Sequence, residues 1–185
     1  MRLNSLETKN LSNEIGGWGN THMFLVSTVC TYDGNISKAY VEEELISKID
    51  SNEYEILPIR QLKYDLDNHL EKGGKLLGHN IGAFDLPVLR DSLDIFCIKK
   101  YLDNKQYIDT SQYLENLVNH NFGETKQLES IMAPSMWKSG EYTTVVDYCV
   151  DDCKLVYKLW KHGKDNSIKA FSIDKEEIVK MNVEW

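Results

Sequence analysis

Three carboxylates and one phenol have the residue types and settings that divalent-metal chemistry uses: Glu7, Asp85, Asp152 and Tyr148. Glu7 closes a short N-terminal stretch that reads as a strand. Asp85 falls just after a strand end, in the first turn of a helix. Asp152 lies in a long helical segment, with Tyr148 one turn before it on the same face. Carboxylates gathered at one rim of a sheet repel each other unless positive charge sits between them. Hard cations such as Mg²⁺ choose oxygen ligands of this kind. Two such ions about 4 Å apart can activate a water and stabilise the leaving oxygen of a phosphodiester. Spacing along the chain does not by itself bring the three carboxylates together, and the plainer role for Asp85 is to cap its helix. The elements that carry them decide.

The stretch Gly78-His79-Asn80-Ile81-Gly82-Ala83-Phe84-Asp85 is the centre of the pattern. Lys75-Leu76-Leu77 before it predicts a buried strand end. Ile81, Phe84 and Val88 continue at helical spacing, and Pro87 fits only the first turn of that helix, where its missing N–H is not needed. Asp85 is thus expected at the rim of a sheet, where open α/β folds bind ligands.

Around this centre, Met1 to Thr8 reads as a first strand and Gly16-Gly17-Trp18-Gly19 as a loop. Met23 to Tyr32, apolar on both faces, predicts a buried strand. Asp33-Gly34 signals a hairpin, with Ser37 to Glu42 returning. Glu43 to Pro58 reads as a short helix or loop, then a short strand. Ile59, Leu62, Leu66 and Leu70 form a helical stripe that Gly73-Gly74 ends. Tyr107-Ile108-Asp109 reads as a strand, and Thr110 can cap a helix to Val118. A short helix is expected over Lys126 to Met132, and a loop over Trp137 to Gly140. Glu141 to His162 predicts the longest helix, with Val145, Cys149, Cys153, Val156 and Trp160 as its core stripe. Its lysines, Lys154, Lys158, Lys161 and Lys164, complement the helix dipole. Ile168 to Ile173 and Ile178 to Trp185 alternate as a closing hairpin around Asp174-Lys175. Strands first, then strands mixed with helices, give an α/β fold with a mixed sheet.

The 185 residues are enough for one domain with a real core. No apolar run reaches the ~18–20 residues of a membrane span, and the N-terminus turns polar at once, unlike a signal peptide. No membrane association is therefore expected. The four cysteines lack CxxC spacing, so Cys149 and Cys153, one turn apart, read as small core residues. A reducing, cytoplasmic setting fits. A net charge of −8 argues against a broad non-specific nucleic-acid groove. It leaves open an acidic cluster filled by divalent cations, which reverse the local sign. There is no GxGxxG, Walker A loop or nucleophile elbow.

Asn80-x-x-x-Phe84-Asp85 resembles the second motif of the DEDD 3′–5′ exonucleases, members of the ribonuclease H-like fold. Tyr148-Cys149-Val150-Asp151-Asp152 resembles their third motif, Tyr-x-x-x-Asp. The subgroup with histidine in that motif would place it at position 147, which here is Asp147, so the resemblance is to the tyrosine subgroup, DEDDy. Leu6-Glu7-Thr8 resembles the "DxET" first motif. The chain is most similar to the stand-alone bacterial exonuclease-domain type, also found fused to helicase-like proteins. The likeness covers nearly the whole length, including Ile108-Asp109-Thr110, the Trp137 to Gly140 loop and the strands ending in Trp185.

The resemblance implies a single ribonuclease H-like domain over residues 1–185, a mixed β-sheet flanked by helices. The core would run to about 165 and a C-terminal hairpin would follow over 166–185. It implies two divalent cations, Mg²⁺ or Mn²⁺, held by Glu7, Asp85 and Asp152. Tyr148 would orient the attacking water. The substrate implied is nucleic acid with a free 3′ end, single-stranded DNA or RNA, cut to nucleoside 5′-monophosphates. Thr8, His79, Asn80 and Phe84 would lie against the substrate, and Asp109 would orient groups behind the metal ligands. His79 can equally be a satisfied structural histidine, and Asn80 can simply fix its turn. Trp18 and Trp137 can stack on bases or anchor local packing.

One position departs from the family. Ser5 stands where the family has the Asp that both metals share, and a neutral hydroxyl is a poor substitute for a bridging carboxylate. Asn4 faces the other way on a strand and cannot replace it. Ser5 marks either a weakened or inactive member, or a substitution made to trap a complex. A catalytically inactive module of the same fold, binding nucleic-acid ends or a partner protein, is the alternative function.

Overall fold

Asp33 and Gly34 build the first reversal of the chain. The Asp33 carboxylate accepts the backbone N–H groups of Asn35 and Ile36, both at 2.8 Å, and Gly34 takes φ +99°, a conformation natural to glycine. The turn joins β1 (Thr28–Tyr32) to β2 (Ser37–Val41), antiparallel from Thr28↔Val41 to Tyr32↔Ser37. These strands belong to a computed structural model that describes residues 20–110, 121–122, 132–165, 167–172 and 177–181. The expected first strand with Ser5, Glu7 and Thr8, the loop with Trp18, the Asp174-Lys175 turn and Trp185 lie outside the described residues. So do all but the end residues of the helices expected over Thr110 to Val118 and Lys126 to Met132.

A parallel strand, β3 (Glu55–Pro58), lies against β2 with Lys38↔Glu55 and Val41↔Pro58 opposed. Helix α1 (Gln61–Glu71) follows, then β4 (Leu76–Gly78). A π-helical turn (Ile81–Asp85) leads straight into α2 (Leu86–Ser92), with Pro87 in its first turn as expected. Helix α3 (Cys97–Asp103) returns the chain to β5 (Tyr107–Asp109), which pairs parallel with β4, Leu76↔Tyr107 to Gly78↔Asp109. A short helix α4 (Ala133–Lys138), the 24-residue α5 (Tyr142–Asp165) and the hairpin β6 (Ile168–Ser172) and β7 (Glu177–Met181) complete the described chain. The result is mixed α/β, with small sheets flanked by helices.

Strand β1 is shorter than the sequence suggests. Its partner β2 ends at Val41, whose carbonyl accepts the Ile59 N–H at 2.7 Å, and Glu43–Lys48 then coil into a 3₁₀ turn. Residues before Thr28 therefore lack a β2 partner; Thr21–Met23 form a 3₁₀ turn and Leu25 is exposed. The loop expected over Trp137 to Gly140 is also corrected. Trp137 lies in α4, which Pro134 starts and Gly140, at φ +89°, ends.

Burial on both faces of β1 follows from its alternation. Val29 packs with Tyr40, Leu62, Leu86, Leu89 and Ile98. Cys30, on the other face, packs with Ala39, Val41, Val146, Cys149 and Cys153 of the α5 side. The expected α5 stripe is largely right: Val145, Cys149 and Cys153 are buried, while Val156 and Trp160 are half-buried. All four cysteines are buried and outside any disulfide. The Cys149 thiol and burial hold the Cys153 thiol well above its usual range, so it stays protonated and behaves as a core group. Among the described residues no helix is long and apolar enough to cross a membrane.

The 3₁₀ turn at Thr21 is clamped to α2. The Thr21 hydroxyl donates to the Asp91 carboxylate, which also accepts Arg90 Nε at 2.6 Å and Nη2 at 2.8 Å. The guanidinium holds the Asp91 carboxyl down at about 2, below its usual 3.8. A depressed carboxyl stabilises the fold above the ordinary carboxylate range, and that contribution fades as pH falls toward 2. Asp91→Asn is therefore expected to cost about 1 kcal/mol at pH 7, a modest value for a partly exposed pair. Urea unfolding at pH 7 and again near pH 2, where the two proteins should converge, checks this.

Candidate active site

The Gly78–Asp85 segment owes its shape to Asp109. Strands β4 and β5 end side by side at Gly78↔Asp109. From there the Asp109 carboxylate accepts the backbone N–H of Asn80 on Oδ1 (2.8 Å) and of Gly82 on Oδ2 (3.1 Å). Both oxygens thus accept from the one loop, and each bond is charge-assisted. The carboxylate thereby orients the backbone of this loop.

Asn80 sits at φ 59°, ψ 24°, a left-handed conformation that asparagine tolerates better than most residues. Its carbonyl accepts the Phe84 N–H at 3.0 Å, which starts the π-helical turn. The left-handed backbone here suits the asparagine expected to fix this turn. Close approach favours glycine at Gly78, where a Cβ would lie 2.7 Å from Ile81 Cβ, and a Cβ at Gly82 would displace the Tyr107 ring, 2.5 Å away.

Asp85 ends the turn and is buried, 3% exposed. It occupies the N-cap position of α2 but makes no side-chain capping bond, so the plainer role considered from sequence does not account for it. Phe84 packs edge-to-face on Phe24, with ring centroids 5.1 Å apart, which ties the turn to the core.

Helix α5 packs across β1, β2 and β4. It carries Asp152, 8% exposed, and Tyr148, half-buried, one turn apart. Asp147 accepts the Tyr54 hydroxyl at 2.8 Å on Oδ1, a structural tie between α5 and the segment before β3. Trp137 packs edge-to-face on Tyr142, with centroids 4.9 Å apart, which favours a packing role over base stacking.

Thr110 was expected only as a helix cap. It is buried, its N–H and hydroxyl both donate to the Gly78 carbonyl (2.9 and 3.3 Å), and its hydroxyl oxygen lies 3.2 Å from His79 Nδ1. The signal available in sequence was its place directly after Asp109, on the strand that faces Gly78.

Strands β1 and β4 line one cavity of about 630 Å³, walled by Leu62 and Leu66 of α1 and by Cys153 and Val156 of α5. Among the described residues, β1 pairs only with β2 and β4 only with β5. Also among the described residues, no group of three or more His, Cys, Asp and Glu side chains gathers as a metal site. The set expected from sequence needs Glu7, which lies outside them, as do Ser5 and Thr8. Asp85 and Asp152 are buried carboxylates of the donor type that hard cations take. No family model, curated protein or solved structure matches the chain.

Proposed function

We propose that this protein is a metal-dependent 3′–5′ exonuclease of the DEDDy type with a ribonuclease H-like fold. Its substrate is nucleic acid with a free 3′ end, single-stranded DNA or RNA, in the cytoplasm. The observation that carries the reading is the Asp109 clamp. A carboxylate whose two oxygens hold the backbone N–H groups of Asn80 and Gly82 stiffens the turn that ends in buried Asp85. Such investment in one loop at the ends of parallel strands suits a metal ligand that must not move.

In this reading Glu7, Asp85 and Asp152 hold two divalent cations, Mg²⁺ or Mn²⁺, and Ser5 occupies the place of a fourth ligand. The cations supply charge that acidifies water and stabilises the departing oxygen. The Tyr148 hydroxyl orients the attacking water. Thr8, His79, Asn80 and Phe84 lie against the terminal nucleotide.

Two measurements bear on this. Single-turnover digestion of 3′-labelled and 5′-labelled oligonucleotides with Mn²⁺ should shorten the strand from its 3′ end; no metal-dependent shortening at high protein concentration removes the proposal. Tyr148→Phe should lower turnover by about 10–100-fold with substrate affinity little changed, because the ring stays and only the water-orienting hydroxyl goes. Equal kinetics would make Tyr148 a packing residue. Ser5 favours a second reading, a catalytically inactive module that binds nucleic-acid ends or a protein. That reading predicts oligonucleotide or protein binding without cleavage.

A further inference from the structure

Helix α5 meets the β1–β2 strands through small side chains. Cys30 and Ala39 of the strands share a buried cluster with Val146, Cys149, Val150 and Cys153 of the helix. Such an interface is well buried but shallow, so few knobs resist a roll of the helix about its axis. Directional contacts come from one flank. The Thr143 hydroxyl oxygen accepts the Asp50 N–H at 3.2 Å, the Asp147 carboxylate accepts the Tyr54 hydroxyl at 2.8 Å, and Lys154 Nζ lies 3.5 Å from Glu53. Thr143, Asp147 and Lys154 follow at intervals of four and seven residues, which puts them within about 40° of one another on the helix. Their partners all come from one short segment, Asp50 to Tyr54, that leads into β3.

We infer that this segment is a strap that sets the roll of α5 and so positions Tyr148 and Asp152. These two lie roughly 120–160° round the helix from the strapped stripe, and the buried Cys149 and Cys153 fall on the arc between. A helix held on one flank cannot roll without displacing the other. Tyr54 is the main tie. It is 9% exposed, its ring belongs to the same buried cluster, and its hydroxyl reaches the helix. The Lys154–Glu53 pair is exposed and contributes little. Tyr54 is thus a positioning residue. That the positioned flank serves a metal site rests on the exonuclease reading; the strap itself does not.

The test uses the full chain. Tyr54→Phe keeps the ring and removes only the hydroxyl. Thr143→Val removes the second tie, and Thr143→Ser keeps it. ¹H–¹³C spectra of the tyrosine rings, with Tyr148 assigned by its loss in Tyr148→Phe, report the place of that ring without need of activity. The Tyr148 signals should move in Tyr54→Phe, move further when Thr143→Val is added, and stay at the parent position in Thr143→Ser. Asp65→Asn weakens the tie of α1 to Lys38 and Tyr40 of β2, away from the strap, and controls for lost stability; it should leave them unmoved. Signals that stay in both the single and the double variant, or that move equally in Asp65→Asn, overturn the strap. Turnover is then measured with Mn²⁺ and a 3′-labelled oligonucleotide. Tyr54→Phe should lower kcat by about 3–30-fold with KM little changed, while Thr143→Ser keeps the parent rate. A moved ring with unchanged kcat overturns the positioning role. Moved signals with no cleavage by any of the proteins, the parent included, would leave the strap standing and remove the exonuclease reading instead.

Discussion

Ser5→Asp is expected to raise the nuclease rate by about 10²–10⁴-fold, equivalent to about 3–5 kcal/mol of transition-state stabilisation. In a two-metal site the shared carboxylate supplies negative charge to both ions at once. In the proposed site, with serine at that position, Glu7, Asp85 and Asp152 would have to hold two dications between them, and the second ion would be the weaker. Its occupancy then limits water activation more than it limits substrate positioning. The parent protein should accordingly be slow, and faster with Mn²⁺ than with Mg²⁺, because Mn²⁺ binds such ligands more tightly. Rates for both proteins over a range of metal concentrations check this. A Ser5→Asp protein that binds two ions and stays inert would favour the binding-module reading.

The second large effect is expected at Asp109. Asp109→Ala removes both acceptors from the Asn80 and Gly82 N–H groups, which are held at 2.8 and 3.1 Å. Two charge-assisted bonds lost together should cost about 3–5 kcal/mol of local or global stability. The turn that ends in Asp85 would then relax, and a shift of about 1 Å in a catalytic group is enough for a roughly 10²-fold loss of rate. Asp109→Asn should fall between, because its amide has one acceptor oxygen and cannot serve both N–H groups. Amide hydrogen exchange at Asn80 and Gly82 gives the direct readout. Unchanged protection in Asp109→Ala would mean that the loop holds itself.

Much of this architecture was legible in the chain because local chemistry decided it. Asp33-Gly34 gave the β1–β2 turn, Gly73 after the α1 stripe marked that helix end, and Pro87 fixed the first turn of α2. The buried stripe of α5 and the β6–β7 hairpin followed from periodicity. What was not legible depended on partners distant in sequence. Strand β1 begins only at Thr28 because β2 ends at Val41, which no pattern within Met23 to Tyr32 reveals. Trp137 joined a helix because Pro134, three residues earlier, starts one. Thr110 became part of the site through a carbonyl 32 residues away. Asp109 was singled out as an orienting group, but the two N–H groups it serves are a matter of the β4–β5 register.

The central claim is that Glu7, Asp85 and Asp152 share two metal ions. Crystals of the Ser5→Asp protein with Mn²⁺ and a short oligonucleotide test it most directly, through the anomalous signal of the metal. The account predicts two Mn²⁺ peaks about 4 Å apart, bracketed by the three carboxylates at roughly 4–7 Å from one another, with the strand's 3′ end against them. Peaks that avoid Asp85 and Asp152, or a Glu7 carboxylate on a distant surface, would contradict it.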